Sequence, residues 1–204
     1  MISLIEYRSR EVSFILIEVR FHGRGGQGAV TAADILAIAG FKQGYYTLSF
    51  PMFGAEKRGT PVVSFLRISD KPIVVRDEVR NPDYVVVMDP SLLDVVDVLA
   101  GIKKGGMLIA NYPKGSEELK EKLKAEDVEV YTINATKMAM EILGRPITNT
   151  AMVGAFVGAS NVVKLEHVEE AVREFFEDED VAEKNVQLIK KAYEYMKEVC
   201  EWKE

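Results

Sequence analysis

A glycine-rich turn constrains this sequence more than any other feature. The segment Gly23-Arg24-Gly25-Gly26-Gln27-Gly28 follows residues 17–22, which alternate apolar and polar as a half-buried strand does. It precedes residues 29–37, whose apolar side chains recur at helical spacing, with Gly40 predicted to close the helix. A strand, a glycine turn and a helix in this order point backbone N–H groups and a helix N-terminus at one place. Such a place favours a phosphate or carboxylate, and Arg24 adds a positive charge. The candidate ligand-binding residues are therefore Gly23, Arg24, Gly25, Gly26, Gln27 and Gly28.

The spacing of Gly23, Gly25 and Gly28 fits the dinucleotide fingerprint G-x-G-x-x-G. That fingerprint also requires an acidic residue about 20 positions further on, for the ribose hydroxyls. Residues 46–51 contain no carboxylate, and the first acid after them is Glu56. Gly28 is not followed by the Lys-Ser/Thr pair of a Walker A loop either. An alternative without any ligand stays open, in which the glycines only let the turn and helix approach the sheet.

Composition excludes several classes of function. The chain has 204 residues, enough for one domain, and its 48% hydrophobic content can fill a core. The net charge of −6 argues against nucleic acid as a general partner. The single cysteine, Cys200, excludes an internal disulfide and a Cys₄ iron–sulfur or zinc site. His22 and His167 lie too far apart in sequence for a metal-ligand spacing.

The sequence predicts a cytoplasmic protein without a membrane segment. No stretch reaches the 18 or so apolar residues that a bilayer-spanning helix needs. Residues 1–14 include two arginines and two glutamates among their apolar residues, which is unlike a signal peptide.

Strands and helices alternate along the first two thirds of the chain. This alternation predicts a three-layer, Rossmann-like α/β sandwich with a mixed, largely parallel sheet. From Thr136 onward the pattern is helical throughout. The predicted strands are 17–22, with an upstream extension from Val12 left open, and 45–50, 61–68, 72–76, 84–88, 107–110 and 128–133, with 61–68 and 72–76 forming a hairpin. The predicted helices are 29–40, 91–100, 116–125, 137–143, 149–159, 165–176 and 182–199.

Two further stretches stand out from this scaffold. Residues 49–61 form a long loop rich in Phe and Met, which either folds over its own core or contacts a ligand or partner. Residues 149–159 form a helix with small residues, which either packs tightly within the chain or lies against another chain. Asp89 ends a predicted strand, where α/β proteins place ligands, but Asp89-Pro90 also suits a turn and helix cap, which we favour. No nucleophile elbow, Cys–His pair or H-E-x-x-H motif is present.

Three segments together carry a family resemblance. Residues 20–28 (RFHGRGGQG), 53–59 (FGAEKRG) and 144–155 (GRPITNTAMVGA) closely resemble the gamma subunits of pyruvate:ferredoxin oxidoreductase (pyruvate synthase), within the 2-oxoacid:ferredoxin oxidoreductase gamma-subunit family. The resemblance extends from about residue 16 to the C-terminus. The wider family includes gamma subunits for 2-oxoglutarate, branched-chain 2-oxoacids and indolepyruvate, and these motifs are most similar to the pyruvate branch.

The resemblance implies a complex that oxidatively decarboxylates pyruvate to acetyl-CoA and reduces ferredoxin. It implies alpha, beta and delta partner subunits, which carry thiamine diphosphate and iron–sulfur clusters. This chain would hold no cofactor alone and would not be catalytic by itself. It would contribute subunit contacts, to which we assign residues 50–60 and the helix from Asn149. The turn at residues 23–28 would contact either coenzyme A or a neighbouring subunit.

The resemblance also predicts where the N-terminal extension ends and the domain begins. Family members usually begin near Ile17, so residues 1–15 are predicted to be an N-terminal extension and residues 16–204 a single domain of the gamma type. Apolar residues of the extension could pair onto a sheet edge, so homodimerisation of the isolated chain is a further expectation. The rival interpretations are a free-standing coenzyme A or nucleotide-binding module and a dinucleotide-dependent oxidoreductase.

Overall fold

The chain folds around one six-stranded sheet. The computed structural model describes residues 15–52 and 59–201. The strands are β1 (Leu16–Arg24), β2 (Tyr46–Met52), β3 (Pro61–Ser69), β4 (Tyr84–Val87), β5 (Met107–Asn111) and β6 (Glu129–Ile133). The α-helices are α1 (Ala29–Lys42), α2 (Ser116–Leu123), α3 (Ala135–Leu143), α4 (Asn149–Ser160), α5 (Leu165–Phe175) and α6 (Glu179–Glu201), and a 3₁₀ helix spans Pro90–Asp94.

The sheet is mixed but mostly parallel. Its strand order is β2-β3-β1-β4-β5-β6. Strands β1, β4, β5 and β6 pair in parallel, whereas β3 runs antiparallel to both of its neighbours, β1 and β2. The carboxyl ends of the four parallel strands therefore meet at one edge of the sheet.

Helices cover both faces of the sheet. On one face, α1 and the four C-terminal helices pack on Val19 and Phe21 of β1 and on the neighbouring strands. On the other face, Val85 and Val87 of β4 pack with residues of α2 and the 3₁₀ helix. Because β4 is buried from both sides, its sequence is almost continuously apolar. The predicted three-layer sandwich with a mixed, largely parallel sheet and a helical C-terminal part is confirmed.

Helix α4 lies inside the molecule. Residues 149–158 are all buried, mainly by α6. A Cβ on Gly154 would lie 2.3 Å from the carbonyl oxygen of Ile189, and one on Gly158 would lie 2.7 Å from that of Tyr193. Only glycine permits these approaches, so tight packing within the chain is confirmed. The assignment of this helix to subunit contacts is wrong, since α4 has almost no surface left for another chain.

Two predicted elements are absent for identifiable reasons. Residues 72–76 form no strand, so the hairpin is wrong, because both edges of β3 are already paired, with β1 and β2. The predicted helix 91–100 is a 3₁₀ helix followed by turns. These turns present the carbonyl oxygens of Val98 and Ala100 to Arg20, whose Nη2 donates to them at 3.0 and 2.7 Å. A tertiary contact of this kind overrides the weak local preference for helix.

Arg20 and His22 form a buried polar pair on β1. The Nε of Arg20 donates to the Nε2 of His22 at 3.1 Å, and both residues are less than 10% exposed. Burial, and secondarily the charge of Arg20, lowers the pKa of His22 from 6.5 to about 3. His22 is therefore neutral in the folded protein and serves as an acceptor that orients the guanidinium.

Parts of the sequence-based predictions lie outside the described residues. These are the N-terminal extension except Ile15, and residues 53–58 of the long loop. The boundary at residue 16 and the contact role of residues 50–60 stay predictions. Within residues 15–52 and 59–201, no helix combines the length and apolar character required to cross a membrane.

The close contact between α4 and α6 predicts that one methyl group added at Gly154 destabilises the folded protein considerably. We expect Gly154→Ala to lower the free energy of unfolding by about 2 kcal/mol or more, because a backbone carbonyl cannot rotate away as a side chain can. Gly115→Ala is the control, since its Cβ would meet nothing within 4 Å and its φ is −70°. Chemical denaturation of both variants measures the difference, and equal stabilities would contradict the close contact.

The buried imidazole of His22 predicts that the free energy of unfolding depends on pH. The unfolded state binds a proton at His22 below about pH 6.5, whereas the folded state does so only near pH 3. The free energy of unfolding therefore falls as pH falls through this window, by up to about 1.4 kcal/mol per pH unit from this group. His22→Gln keeps a hydrogen-bond acceptor but does not titrate. We expect the free energy of unfolding of this variant, measured by urea denaturation, to fall less steeply between pH 6 and pH 4 than that of the unchanged protein. The same dependence on pH in both proteins would contradict a neutral buried His22.

Candidate anion-binding site at the carboxyl ends of β1 and β4

The glycine turn lies at the point where the strand order reverses. From β1 the chain passes through α1 to β2 at one edge of the sheet, whereas from β4 it proceeds to β5 on the other side. The chain therefore leaves the carboxyl ends of the adjacent strands β1 and β4 in opposite directions. Open α/β sheets bind their ligands at such points.

The turn adopts a backbone conformation that favours glycine. Gly26 and Gly28 have φ angles of 92° and 79°, in the left-handed region where other residues are strained. Gly28 is the N-cap of α1 and contributes no side-chain cap. The strand itself continues further than predicted, since β1 includes Gly23 and Arg24. The turn proper is therefore confined to residues 25–28.

Gln27 holds the turn in shape from within. Its Oε1 accepts from the backbone N–H of Arg24 at 2.7 Å, and its own N–H donates to the Arg24 carbonyl at 2.9 Å. Its Nε2 donates to Asp89 Oδ2 at 2.5 Å, which joins the turn to the end of β4. The N–H of Gly25 donates to Thr60 O at 2.9 Å, so the start of β3 is attached as well.

The guanidinium of Arg24 is occupied by hydrogen bonds within the chain. Its Nε and Nη2 donate to Ser91 Oγ at 3.1 and 2.8 Å, and its Nη1 donates to Gly59 O at 3.0 Å. Its Nε also lies 3.4 Å from Asp89 Oδ2. Arg24 therefore joins the turn to the loops after β2 and β4, and Asp89 offsets its charge.

Asp89 remains ionised although it is partly buried. Burial raises the pKa of this carboxyl, but hydrogen bonds from Ser91 and Gln27 and the charge of Arg24 outweigh it, so the pKa lies below its usual value. Asp89 also accepts from the N–H of Ser91 at 2.9 Å and thereby caps the 3₁₀ helix. The predicted role of Asp89 as a helix cap is confirmed. The sequence did not predict its ion pair with Arg24.

Several backbone donors of the turn have no partner in residues 15–52 and 59–201. Among the described residues, no hydrogen-bond partner exists for the N–H groups of Gly26 and Gly28, nor for those of Ala29, Val30 and Thr31 in the first turn of α1. Gly26 is exposed and Gly28 half-buried, so solvent or a ligand can reach this end of the helix. Unpaired N–H groups at a helix N-terminus attract anions, since the helix dipole adds to their partial charges.

Asn149, the first residue of α4, adds a side-chain donor beside the turn. Only 7% of it is exposed, and it packs so closely on Gly28 that a Cβ there would lie 2.6 Å from its Nδ2. Its Oδ1 accepts from the N–H of Thr150 at 2.8 Å. Its Nδ2 has no hydrogen-bond partner in the part of the chain that the structure describes. Within the described residues the one buried side-chain nitrogen or oxygen without a partner is His167 Nδ1, so the Nδ2 of Asn149 is open to solvent or a ligand.

The structure thus brings the six predicted site residues together and adds three others. Asp89, Ser91 and Asn149 contact the turn and belong to the candidate site. The sequence offered a signal for two of them, because Asp89 ends a strand and Asn149 belongs to a motif of the resemblance. Ser91 carried no signal. No group of three or more His, Cys, Asp and Glu residues in the described ranges could hold a metal ion.

Comparison with known proteins identifies the family. The family model described as pyruvate ferredoxin/flavodoxin oxidoreductase matches residues 18–195. A protein of Thermococcus litoralis, the pyruvate/ketoisovalerate oxidoreductases common subunit gamma, is 54% identical over 179 residues, which cover 88% of this chain and 96% of that protein. Pyruvate synthase subunit PorC of Methanothermobacter thermautotrophicus is 49% identical over 179 residues, covering 88% and 95%.

A solved structure agrees with the sequence comparisons. The crystal structure of pyruvate oxidoreductase subunit PORC from Thermotoga maritima superposes with a TM-score of 0.78 and 34% sequence identity, covering 88% of this chain and 96% of that one. The chain therefore belongs to the pyruvate ferredoxin/flavodoxin oxidoreductase family.

Proposed function

We propose that this chain is the gamma subunit of a complex that oxidatively decarboxylates pyruvate to acetyl-CoA and transfers the electrons to ferredoxin. In this proposal, companion alpha, beta and delta subunits carry the thiamine diphosphate and the iron–sulfur clusters. The observation that carries it is the 49–54% identity, over nearly the full length of the relatives, to proteins named as such subunits. One cysteine in 204 residues cannot ligate an iron–sulfur cluster of the Cys₄ type, which supports placing the clusters on partners.

A second substrate is favoured by the relatives' own names. The Thermococcus protein is described as a subunit common to pyruvate and ketoisovalerate oxidoreductases. A gamma subunit that carries no substrate-specific chemistry can serve two complexes, provided that its contacts to both are alike. We therefore extend the proposal to a branched-chain 2-oxoacid as the alternative substrate of the assembly.

Within this complex, residues 23–28 are proposed to hold the phosphates of coenzyme A. The N–H groups of Gly26, Gly28 and the first turn of α1 have no partner among the described residues and lie at the accessible N-terminus of that helix. The unused Nδ2 of Asn149 lies against this N-terminus and supplies another donor. Phosphate oxygens are acceptors, so this set of N–H donors suits them.

Arg24 is best described in this proposal as a positioning residue. Its three donor nitrogens point at Ser91 and Gly59, and its charge is offset by Asp89. It therefore contributes by keeping the turn open and rigid, more than by direct attraction of the phosphate. The competing interpretation is that the same turn contacts a neighbouring subunit.

Isolation of the native complex tests the subunit proposal. We expect an affinity-tagged chain, purified under anoxia from its own source, to bring with it subunits that bear thiamine diphosphate and iron–sulfur clusters. The preparation should reduce ferredoxin when supplied with coenzyme A and pyruvate, and the ketoisovalerate assay tests the alternative substrate. Recovery of the chain alone from active extract would overturn the proposal in favour of a free-standing binding protein.

Removal of Arg24 tests the assignment of the turn. In the assembled complex, we expect Arg24→Ala to raise the KM for coenzyme A about tenfold or more, since the turn loses the hydrogen bonds that hold it in its binding conformation. The KM for pyruvate should not change, and Arg76→Ala, at an exposed arginine distant in sequence from the turn, is the control. An unchanged KM for coenzyme A together with weaker subunit assembly would instead support the subunit-contact interpretation.

A further inference from the structure

Strand β2 forms an open edge of the sheet. It is the last strand at its end of the six-stranded order, and its inner side pairs with β3 from Tyr46, opposite Ser69, to Met52, opposite Val63. Among residues 15–52 and 59–201, no strand pairs with its outer side. The N–H and C=O groups of an open edge can bind another strand, so proteins usually cover such an edge, shorten it or place charges and prolines on it.

Strand β2 has little of this protection. It is seven residues long, and its sequence, YTLSFPM, contains no charged side chain. Its register with β3 is continuous, so no bulge twists the edge away. Pro51 is the one residue in it that hinders strand pairing, and it lies next to the last residue of the strand. Most of the edge is therefore suited to accept another strand.

The hydrogen bonds of the sheet determine which backbone groups of β2 point outwards. The carbonyl oxygens of Glu18 and His22 accept from N–H groups beside β4, so the even-numbered residues of β1 face β4 and the odd-numbered ones face β3. This alternation, carried across the register to β2, directs Thr47, Ser49 and Pro51 away from the sheet. Pro51 agrees independently, since it has no N–H to donate to β3. The outer edge thus presents two N–H groups, of Thr47 and Ser49, and the carbonyl groups of all three residues.

The side chains of β2 alternate between polar and apolar faces. The three outward-bonding residues share the face that contacts α1, where Ser49 Oγ donates to Asp34 Oδ1 at 2.6 Å. The residues between them are apolar or aromatic and lie on the opposite face: Tyr46, Leu48, Phe50 and Met52. Tyr46 and Met52, at the two ends, are 50% and 48% exposed, and the two residues between them are half-buried. An apolar stripe therefore follows the open edge.

We propose that β2 pairs with β2 of a second copy of this chain, antiparallel about a two-fold axis at Ser49, so that the two sheets become one continuous sheet. Centring the pair on Ser49 places each outward-facing residue opposite another one. Ser49 exchanges both of its hydrogen bonds with Ser49 of the second copy, and the N–H of Thr47 donates to the carbonyl of Pro51 of the second copy. The missing N–H of Pro51 removes only one bond at each end of the pair.

The same register matches the side chains of the apolar stripe. Tyr46 lies opposite Met52 of the second copy at each end, and Leu48 lies opposite Phe50 of the second copy. The two most exposed side chains of β2 therefore cover each other, and a thioether beside an aromatic ring is a favourable contact. Because β2 carries no charge, no like charges of the two strands oppose each other across the axis.

This self-complementarity favours a second copy over the other possible occupants. A symmetric interface requires that one surface match itself, and β2 does so in its donors, its acceptors and its apolar side chains. A strand of a companion subunit, or residues 1–14 of this chain, would not require such symmetry. The inference concerns the chain alone and does not depend on the proposed binding of coenzyme A.

Charged substitutions at the ends of β2 test the pairing and its register. We expect the full-length chain to sediment as a dimer in analytical ultracentrifugation. Tyr46→Lys combined with Met52→Lys opposes like charges at both ends and should raise the dissociation constant about tenfold or more. Tyr46→Lys combined with Met52→Glu opposes unlike charges and should restore the dimer. These changes compensate each other only if position 46 faces position 52 of an identical strand.

A disulfide across the axis provides a second test that does not depend on the lysine variants folding. Directly opposed residues of a hydrogen-bonded antiparallel pair have Cα atoms about 5.5 Å apart, which suits a disulfide. With Cys200→Ser to remove the native thiol, we expect Ser49→Cys to link two copies on mild oxidation. Thr47→Cys is the matched control and should not link them, since position 47 faces position 51.

The remaining variants separate the pairing from other interfaces. Val95→Lys combined with Met140→Lys, at two exposed apolar residues outside β2, should leave the dimer intact. A monomeric full-length chain would overturn the inference, and so would a dimer that persists in the double-lysine variant. A dimer that forms only after removal of residues 1–14 would identify that segment as the occupant and overturn it. Loss of a companion subunit from the native complex of the double-lysine variant, without a disulfide in Ser49→Cys, would overturn it in favour of a companion strand.

Discussion

The backbone contact between α4 and α6 is the constraint on which the candidate site depends. Gly154 and Gly158 let α4 approach α6 to a distance that any Cβ would prevent. Helix α4 can therefore lie buried in the helical layer, with its first residue, Asn149, held on Gly28. The residues of a site placed by backbone contacts have little freedom to shift, and such preorganisation is what ligand binding requires of its scaffold. The small residues of α4 thus serve the site indirectly, although they contact no ligand.

The positive charge of Arg24 is offset within the glycine turn. Arg24 would be a natural phosphate ligand if the sequence alone were considered, yet its donors are satisfied by Ser91 and Gly59 and its charge by Asp89. The turn is therefore nearly neutral, and its proposed attraction for anions depends on N–H groups that no described residue binds and on the dipole of α1. These partial charges cannot move, so they need no reorganisation when a ligand binds.

Local features of the chain were predictable, and contacts between distant segments were not. The strand at residues 84–87 and the helix at residues 135–143 follow from apolar runs and periodicity that lie within a few residues. The strand predicted at residues 72–76 failed because the pairing of β3 with both β1 and β2 is a property of the sheet. The helix predicted at residues 91–100 is replaced by a 3₁₀ helix and turns that bond to Arg20 on another element, a tertiary contact that the local sequence does not show.

The same distinction applies to the site. Residues 23–28 were predictable because their chemistry is contained in six consecutive positions. Their partners Asp89 and Ser91 are 62 and 67 positions away from the residues they bind, and no periodicity connects them. Asn149 was visible only as part of a motif, and its contact with Gly28 depends on how α4 is buried.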